Sequence, residues 1–392
     1  MDSDIIIIGA GPAGLSFARI LADTGLQITL LEKQPEKILA KPDYDGREIA
    51  LTHLSHRLMS ETGMWGKISP KDISLIKDAK VLNGDLDKPL FFDHAKSGKE
   101  NLGFMVSNHH IRRAAYEVCK PYKNIKLLTE KEVSAVETDE VGGTVTFKDG
   151  KKLSAKLIIA ADSRFSATRR MMGISTDMRD FGRMCIVCKV KLDRDHDDTA
   201  YECFFYDRTL AVLPLNGRYC SVVITIDSKD AHLVLDQSPK EFGAELTKRM
   251  EGRFGNMTLD TKLFPYPLVG TFADRFYATR YALIGDAAVG MHPVTAHGFN
   301  FGLRGAHTLA MEIKKFQELG LDIGSEDLLR RYNETHRAAT LPLYWGTNAL
   351  VGLYTKTTPL AKLARKALLA VGQHLPPAKR IIMNQLTEAA SK

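Results

Sequence analysis

Five cysteines in 392 residues are too few for a disulfide framework, and their odd number suits a reducing compartment, so the cytoplasm is the expected location. No window approaches the roughly 20 consecutive apolar residues that a bilayer-spanning helix needs. The opening "MDSDIIIIGAG" has acids where a secretory leader carries bases, and its apolar run is only four isoleucines, which reads as an unprocessed start. Internal repeats and low-complexity tracts are also missing. Cys185 and Cys188 form a Cys-x-x-Cys pair, but "MCIVCKV" reads as a strand, in which side chains three apart point to opposite faces. With no second pair to complete a set of four ligands, no metal site is expected.

What is present is enough apolar sequence, 44%, for one large or two closely joined domains. The net charge of +7 is concentrated at one end: from Lys356 to Lys392 there are seven basic residues against the single acid Glu388. A basic face with interleaved aromatics is not the pattern here, so nucleic-acid binding is not expected.

The first thirty residues, "DIIIIGAGPAGLSFARILADTGLQITLLEK", read as a buried strand, a glycine turn, an amphipathic helix and a second strand ending in acid. Gly9, Gly11 and Gly14 fit G-x-G-x-x-G, with Pro12 and Ala13 between them at the helix start. Gly9 makes the tight turn, Gly11 lets the backbone approach a pyrophosphate, and Gly14 allows close helix-to-strand packing. The phosphates of a dinucleotide would lie against the positive helix end. Glu32, with Lys33 beside it, is placed to meet ribose hydroxyls. This fingerprint does not separate NAD from FAD.

A second stretch, "YALIGDAAVGMHPVTAHGFNFGLRGA" from Tyr281, does separate them. A strand delivers Gly285 and Asp286, a loop carries His292-Pro293, and Gly298, Phe299 and Asn300 open a helix of about fifteen residues by the spacing of its apolar positions. An extended FAD needs partners at both ends: Asp286 for a ribityl hydroxyl, Gly285 for close approach, and the helix's positive end for the ring's N1 and C2 carbonyl. Elsewhere a helix is expected over Ser55–Trp65 and another in "SNHHIRRAAYEVCKPY". "DEVGG", "KDGK" and "LNGR" are hairpin turns. The β-rich blocks interrupt an alternating strand and helix pattern. The expected fold class is α/β: a Rossmann-like FAD-binding domain (1–72, 101–175 and 275–330), an inserted β-sheet substrate domain (73–100 and 176–274), and a helical C-terminal region (331–392).

These stretches, with "GREIALTHLSHRLMSETGMW", "LIIAADSRFSATRR" and "LAVLPL", resemble the FAD-dependent aromatic-ring hydroxylases of ubiquinone biosynthesis over essentially the whole chain. "YDGREIALTH" and "TAHGFN" are most similar to the divergent UbiM subgroup, assigned to demethoxyubiquinol hydroxylation. The chain departs from the family at Asp162-Ser163, where Asp-Gly is usual, at Ala296-His297-Gly298, where Gly-Gln-Gly is usual, and at Val289, where His is common.

The resemblance implies a monooxygenase that hydroxylates the ring of a polyprenylated quinone precursor through a flavin hydroperoxide. Its cofactor would be FAD, and it would use molecular oxygen and an electron donor, NAD(P)H or another. No separate nicotinamide fingerprint is present. Arg47 and Asn108 would touch the FAD pyrophosphate or ribose, and backbone near Val133 the adenine. Asp162 would lie at a ligand-gathering strand end. His297 is the candidate for proton transfer beside the ring.

In "LAKLARKALLAV", Leu360, Leu363, Ala364, Ala367, Leu368 and Val371 fall on one stripe and Lys362, Arg365 and Lys366 off it, which suits an anionic membrane surface or packing on the protein itself. A ubiquinone-biosynthesis protein complex is the implied protein partner. Two other functions stay open on the residues: a flavin-dependent lipid or quinone oxidoreductase without oxygen insertion, and a flavin-binding scaffold of such a complex.

Overall fold

Ile5 to Ile8 form a run none of whose members is more than 6% exposed, and such a run is stable as a strand only when both faces of the sheet are covered. In the computed structural model, which describes residues 1–84, 89–97, 100–205, 207–291 and 297–355, this run belongs to Ser3–Ile8, an inner strand of a largely parallel sheet. Ile5 stands opposite Leu157 of Lys152–Ala160 on one side and Ile28 of Ile28–Leu31 on the other. Ile125–Leu128 extends one flank, and Tyr281–Leu283 the other. The strand from Tyr281 therefore lies two places from the first strand of the chain. Helix Pro12–Leu21 packs against both Asn108–Cys119 and His297–Glu318.

The turns "DEVGG" and "KDGK" join Val133–Thr138, Gly143–Phe147 and Lys152–Ala160 into antiparallel hairpins, as their turn chemistry predicts. The helix after Thr52 spans His53–Glu61, one turn shorter at its C-terminal end than expected, because Gly63 with φ +79° ends the run. The helix of the second stretch is 22 residues long, His297–Glu318. A last helix, Glu326–Thr355, carries Pro342 inside it.

Among the described residues the second sheet has nine strands. Thr176–Leu192 pairs along one edge with Phe264–Ala273 and along the other with Tyr219–Asp227, and Arg208–Leu215, Thr199–Phe204, Asp78–Leu82 and Leu90–Phe92 follow in that order. Its two faces differ. On one, Ile186, Val212, Val222 and Ile224 are at most 2% exposed and lie under helix Pro239–Arg249, which a Ser238–Glu241 capping box starts and which inserts Phe242 and Leu246. The other face looks toward a third, three-stranded sheet of Glu48–Leu51, Gly103–Ser107 and Ile73–Ile76. Ile73–Ile76 thus pairs with Gly103–Ser107, and among the described residues of the 73–100 block only Asp78–Leu82 and Leu90–Phe92 join the large sheet.

All five cysteines are buried and free. Cys185 and Cys188 belong to separate clusters, as the strand alternation requires. No described helix is long and apolar enough to cross a membrane. The basic segment 356–392 lies outside the described residues.

Candidate functional site

Each of the three fingerprint glycines has its own physical reason. Gly9 has φ +107°, and a Cβ there would stand 2.4 Å from the Ala161 carbonyl oxygen. A Cβ on Gly14 would stand 2.1 Å from the Gly9 carbonyl oxygen. Gly11 differs: its φ of −73° is ordinary, nothing lies within 4 Å of a Cβ placed on it, and it is the N-cap of helix Pro12–Leu21 with no side chain capping that end. The first two glycines are required by the protein's own packing, while Gly11 opens onto free space at a positive helix end, which fits a bound diphosphate.

Glu32 ends the second strand beside this turn. Its carboxylate accepts the Ala10 amide at 3.0 Å and the Gln34 amide at 2.9 Å, and Lys33 points into solvent. The Lys131 amide donates to the Glu32 carbonyl at 2.9 Å, which brings Val133, two residues on, to the same rim. Asp162 contributes backbone here, its amide lying 3.2 Å from a Cβ placed on Gly9. Its carboxylate is taken up elsewhere, by the Ser166 hydroxyl at 2.5 Å and by the amide and hydroxyl of Thr168. Ser163, at the usual Gly position, adopts φ +80°.

The second half of the cradle closes on the first through small residues. Gly285 has φ +61°, and a Cβ there would meet the Ala13 Cβ at 2.9 Å; a Cβ on Gly302 would lie 3.4 Å from Gly285 Cα. The start of helix Pro12–Leu21, the Gly285–Ala287 turn and helix His297–Glu318 therefore touch. Asp286 is partly exposed beside them and accepts from Arg164 Nη2 at 3.3 Å, while Arg164 Nη1 donates to the Val269 carbonyl. Asn300 is buried. Its side chain accepts from the Thr52 amide at 3.3 Å and donates to the Ala50 carbonyl at 2.9 Å, which locks the helix to strand Glu48–Leu51. That is a structural task for a side chain expected at the cofactor, and the helix begins three residues earlier, at His297. Gly298 has open space beside it, and Phe299 packs partly into the core. Pro293 and the His297 side chain lie outside the described residues.

Arg47 and Asn108 meet through a residue that sequence reasoning missed. The Asp45 carboxylate accepts from Arg47 Nη2 at 2.5 Å and from Asn108 Nδ2 at 2.8 Å, and the Tyr266 hydroxyl donates to the Asp45 carbonyl at 2.6 Å. Asn108 is the first residue of its helix, after the N-cap Ser107. Burial works against the Arg47 charge, but Asp45 and the field of Asp286 hold its pKa above the usual value. A phosphate reaching Arg47 shares it with Asp45.

Glu48, next in the chain, accepts from Ser107 Oγ at 2.5 Å and from the Tyr44 hydroxyl at 3.4 Å. Burial pushes its carboxyl up to about 7, against the pull of Ser107 and of the Lys189 charge. His109 is pushed down to about 4 by burial and by the adjacent His110. Nothing in the sequence marks Asp45, Glu48, Arg164 or Tyr266 except that the first two sit in the "YDGREIAL" stretch and Arg164 in "LIIAADSRFSATRR".

The comparisons with known proteins show the family and the fold. Residues 2–341 match the FAD-binding domain family. The chain is 48% identical over 391 residues to the ubiquinone hydroxylase UbiM of Neisseria meningitidis, covering 99% of this chain and 85% of that protein. It is 31% identical over 382 residues to the ubiquinone hydroxylase UbiL of Rhodospirillum rubrum, covering 97% and 88%. Among solved structures, the p-nitrophenol 4-monooxygenase PnpA of Pseudomonas putida superposes with a TM-score of 0.75 over 98% of this chain and 97% of its own, at 19% identity, which shows a shared fold.

Proposed function

From the premise that the chain belongs to the FAD-binding domain family and works as an FAD-dependent monooxygenase, we propose that its substrate is the ring of a polyprenylated ubiquinone precursor, with demethoxyubiquinol the first to test. The observation that carries this reading is the contact of Ala13, Gly285 and Gly302. It joins two stretches far apart in the chain into one cradle, as a dinucleotide whose two ends need different partners requires.

In that cradle the open N-cap at Gly11 takes the diphosphate, Glu32 the ribose hydroxyls, and Asp286 a ribityl hydroxyl, with Arg47 and Asn108 at the rim. Helix His297–Glu318 turns its positive end toward the ring system, where negative charge collects on reduction. Bound FAD, reduced by NAD(P)H or another donor, supplies oxygen activation: one atom replaces a ring hydrogen as hydroxyl and the other leaves as water. The protein's own contribution is position and dryness. The large sheet's face toward Glu48–Leu51 keeps Val81, Leu213 and Val223 partly accessible, unlike the sealed opposite face, and an apolar wall of that kind suits an electron-rich ring with a lipid tail.

Incubation of the FAD-loaded protein with demethoxyubiquinol, donor and isotopically labelled oxygen tests the reading, with one label expected in the product ring. Oxidation of the quinol without label in the ring would overturn it in favour of an oxidoreductase. The segment from 356 carries +6 of the net charge of +7, and we place it at the anionic inner membrane surface, where the lipid substrate resides. Binding to anionic vesicles should fall as salt rises and on replacing Lys362, Arg365 and Lys366 by glutamine. Binding that ignores both changes would refute this placement. Co-purification with other enzymes acting on the same lipid would add the protein complex.

A further inference from the structure

Among the described residues, one acid lies in the middle of the accessible face of the large sheet, away from the strand-end acids Asp177 and Asp227. Glu202, on Thr199–Phe204, stands opposite Ala211 on one side and Val81 on the other. Its same-face neighbours along its own strand are Ala200 and Phe204, both buried. Among the described residues none makes a hydrogen bond or ion pair to its carboxyl, whereas the half-buried carboxylates of Glu48, Asp162 and Glu245 each have a hydroxyl or guanidinium partner. The side chain is only partly covered, and it lies on the sheet face that looks toward the small sheet.

This face of the sheet is linked to the cofactor cradle. Ala200, Val81 and Leu213 pack in one cluster with Ala50 and Met105 of the small sheet, and the carbonyl of Ala50 is the atom that Asn300 binds from helix His297–Glu318. The face carrying Glu202 thus abuts the strand tied to the helix that points at the flavin ring position. Burial pushes the Glu202 carboxyl up to about 8, so it is mainly neutral at pH 7 and carries a proton it can donate. An unpaired carboxyl among apolar side chains is costly unless a ligand completes its hydrogen bonds.

We propose that Glu202 is the substrate-binding residue that hydrogen-bonds an oxygen substituent of the quinol ring, and that it thereby sets which ring carbon is presented for hydroxylation. The O–H of the acid donates to a phenol or methoxy oxygen, and the carbonyl oxygen accepts from a phenol hydroxyl, so one side chain reads two adjacent substituents. The surrounding Ala211, Val81 and Val223 hold the ring by shape without competing for those bonds. No charge is buried in the complex, since both partners are neutral.

This inference rests on the function proposed above, and its test separates the two. Demethoxyubiquinol with a short prenyl chain is titrated into the oxidised, FAD-loaded protein, and the flavin absorbance change reports binding without turnover. Glu202→Leu, similar in size and apolar, should weaken binding about tenfold, the loss expected for one buried hydrogen bond. Glu202→Gln, which keeps one donor and one acceptor, should stay within about threefold of wild type. In turnover Glu202→Leu should give a mixture of ring isomers and release more peroxide per donor consumed, while Glu202→Gln should give the wild-type isomer. FAD content should match wild type in both, and melting temperature should not fall, since each replacement removes a carboxyl that has no partner in the free protein. Equal affinity and a single unchanged isomer in Glu202→Leu would overturn the inference. If Leu misfolds, Glu202→Gln decides alone, because a large loss there would show that the residue is needed as an ion and not as a neutral donor. Wild-type protein that binds the quinol but inserts no oxygen would instead condemn the function reading.

Discussion

Gly11 separates cofactor binding from folding cleanly. A methyl group added at Gly11 meets no protein atom within 4 Å, and φ −73°, ψ 178° is available to alanine. Alanine is a poorer N-cap than glycine, a cost of about 0.5–1 kcal/mol, and it narrows the unfolded ensemble, a gain of about 0.4–1 kcal/mol. The apoprotein of Gly11→Ala should therefore melt within about 0.5 kcal/mol of wild type. The cofactor sees a different surface. The methyl fills the space over the helix end, and overpacking of about 1–3 kcal/mol weakens FAD binding roughly fivefold to 150-fold. Gly14→Ala is the contrast: its Cβ would lie 2.1 Å from backbone of Gly9, so the apoprotein itself should lose stability. Fluorescence titration of apoprotein with FAD, together with melting curves with and without FAD, reads both quantities. Free FAD at about a hundred times Kd stabilises wild type by about 2.7 kcal/mol, and a variant weakened a hundredfold keeps only about 0.4 kcal/mol at the same concentration. Wild-type FAD affinity in Gly11→Ala would refute the assignment of the diphosphate to this turn.

Other perturbations follow from the same geometry. Ser163→Gly relieves a left-handed φ of +80° and should stabilise the fold by about 0.5–1 kcal/mol after the greater unfolded entropy of glycine is subtracted; a lower melting temperature would show that the serine side chain is needed there. Asp286→Ala should weaken FAD binding by about 1.5–3 kcal/mol, with Asp286→Asn intermediate and Arg164 still held by the Val269 carbonyl; unchanged affinity in both would remove Asp286 from the site. Glu48 has its folded pKa raised by burial to about 7, from the ordinary 4.5. The folded protein thus binds that proton more tightly than the unfolded chain does, and its relative stability is present at low pH and lost as pH rises from about 4.5 through 7. Glu48→Gln should therefore gain on wild type across that window, by up to about 3 kcal/mol at pH 8, and a pH-independent difference in melting would show that Glu48 is not buried as an acid.

The sequence by itself determined what depends on neighbours in the chain. Four isoleucines followed by G-x-G-x-x-G determine a buried strand, a turn and a helix, because strand burial, left-handed φ and helix packing act within a few residues. The hairpin turns at "DEVGG" and "LNGR" and the opposed directions of Cys185 and Cys188 are legible for the same reason. The tertiary structure decided which groups meet. Asn300 binds the backbone of Ala50 and Thr52 across about 250 positions of chain, and Tyr266 binds Asp45 across 221. Such pairs leave no trace in local periodicity, so the sequence does not show that Asn300 clasps its helix to strand Glu48–Leu51. Arg47 and Asn108 were singled out in the sequence, but only the fold shows that Asp45 stands between them. The carboxyls of Glu48 and Glu202 are ordinary residues in a string of letters; their proton affinity is set by the atoms packed around them, and that surrounding is assembled from segments that are far apart until the chain folds.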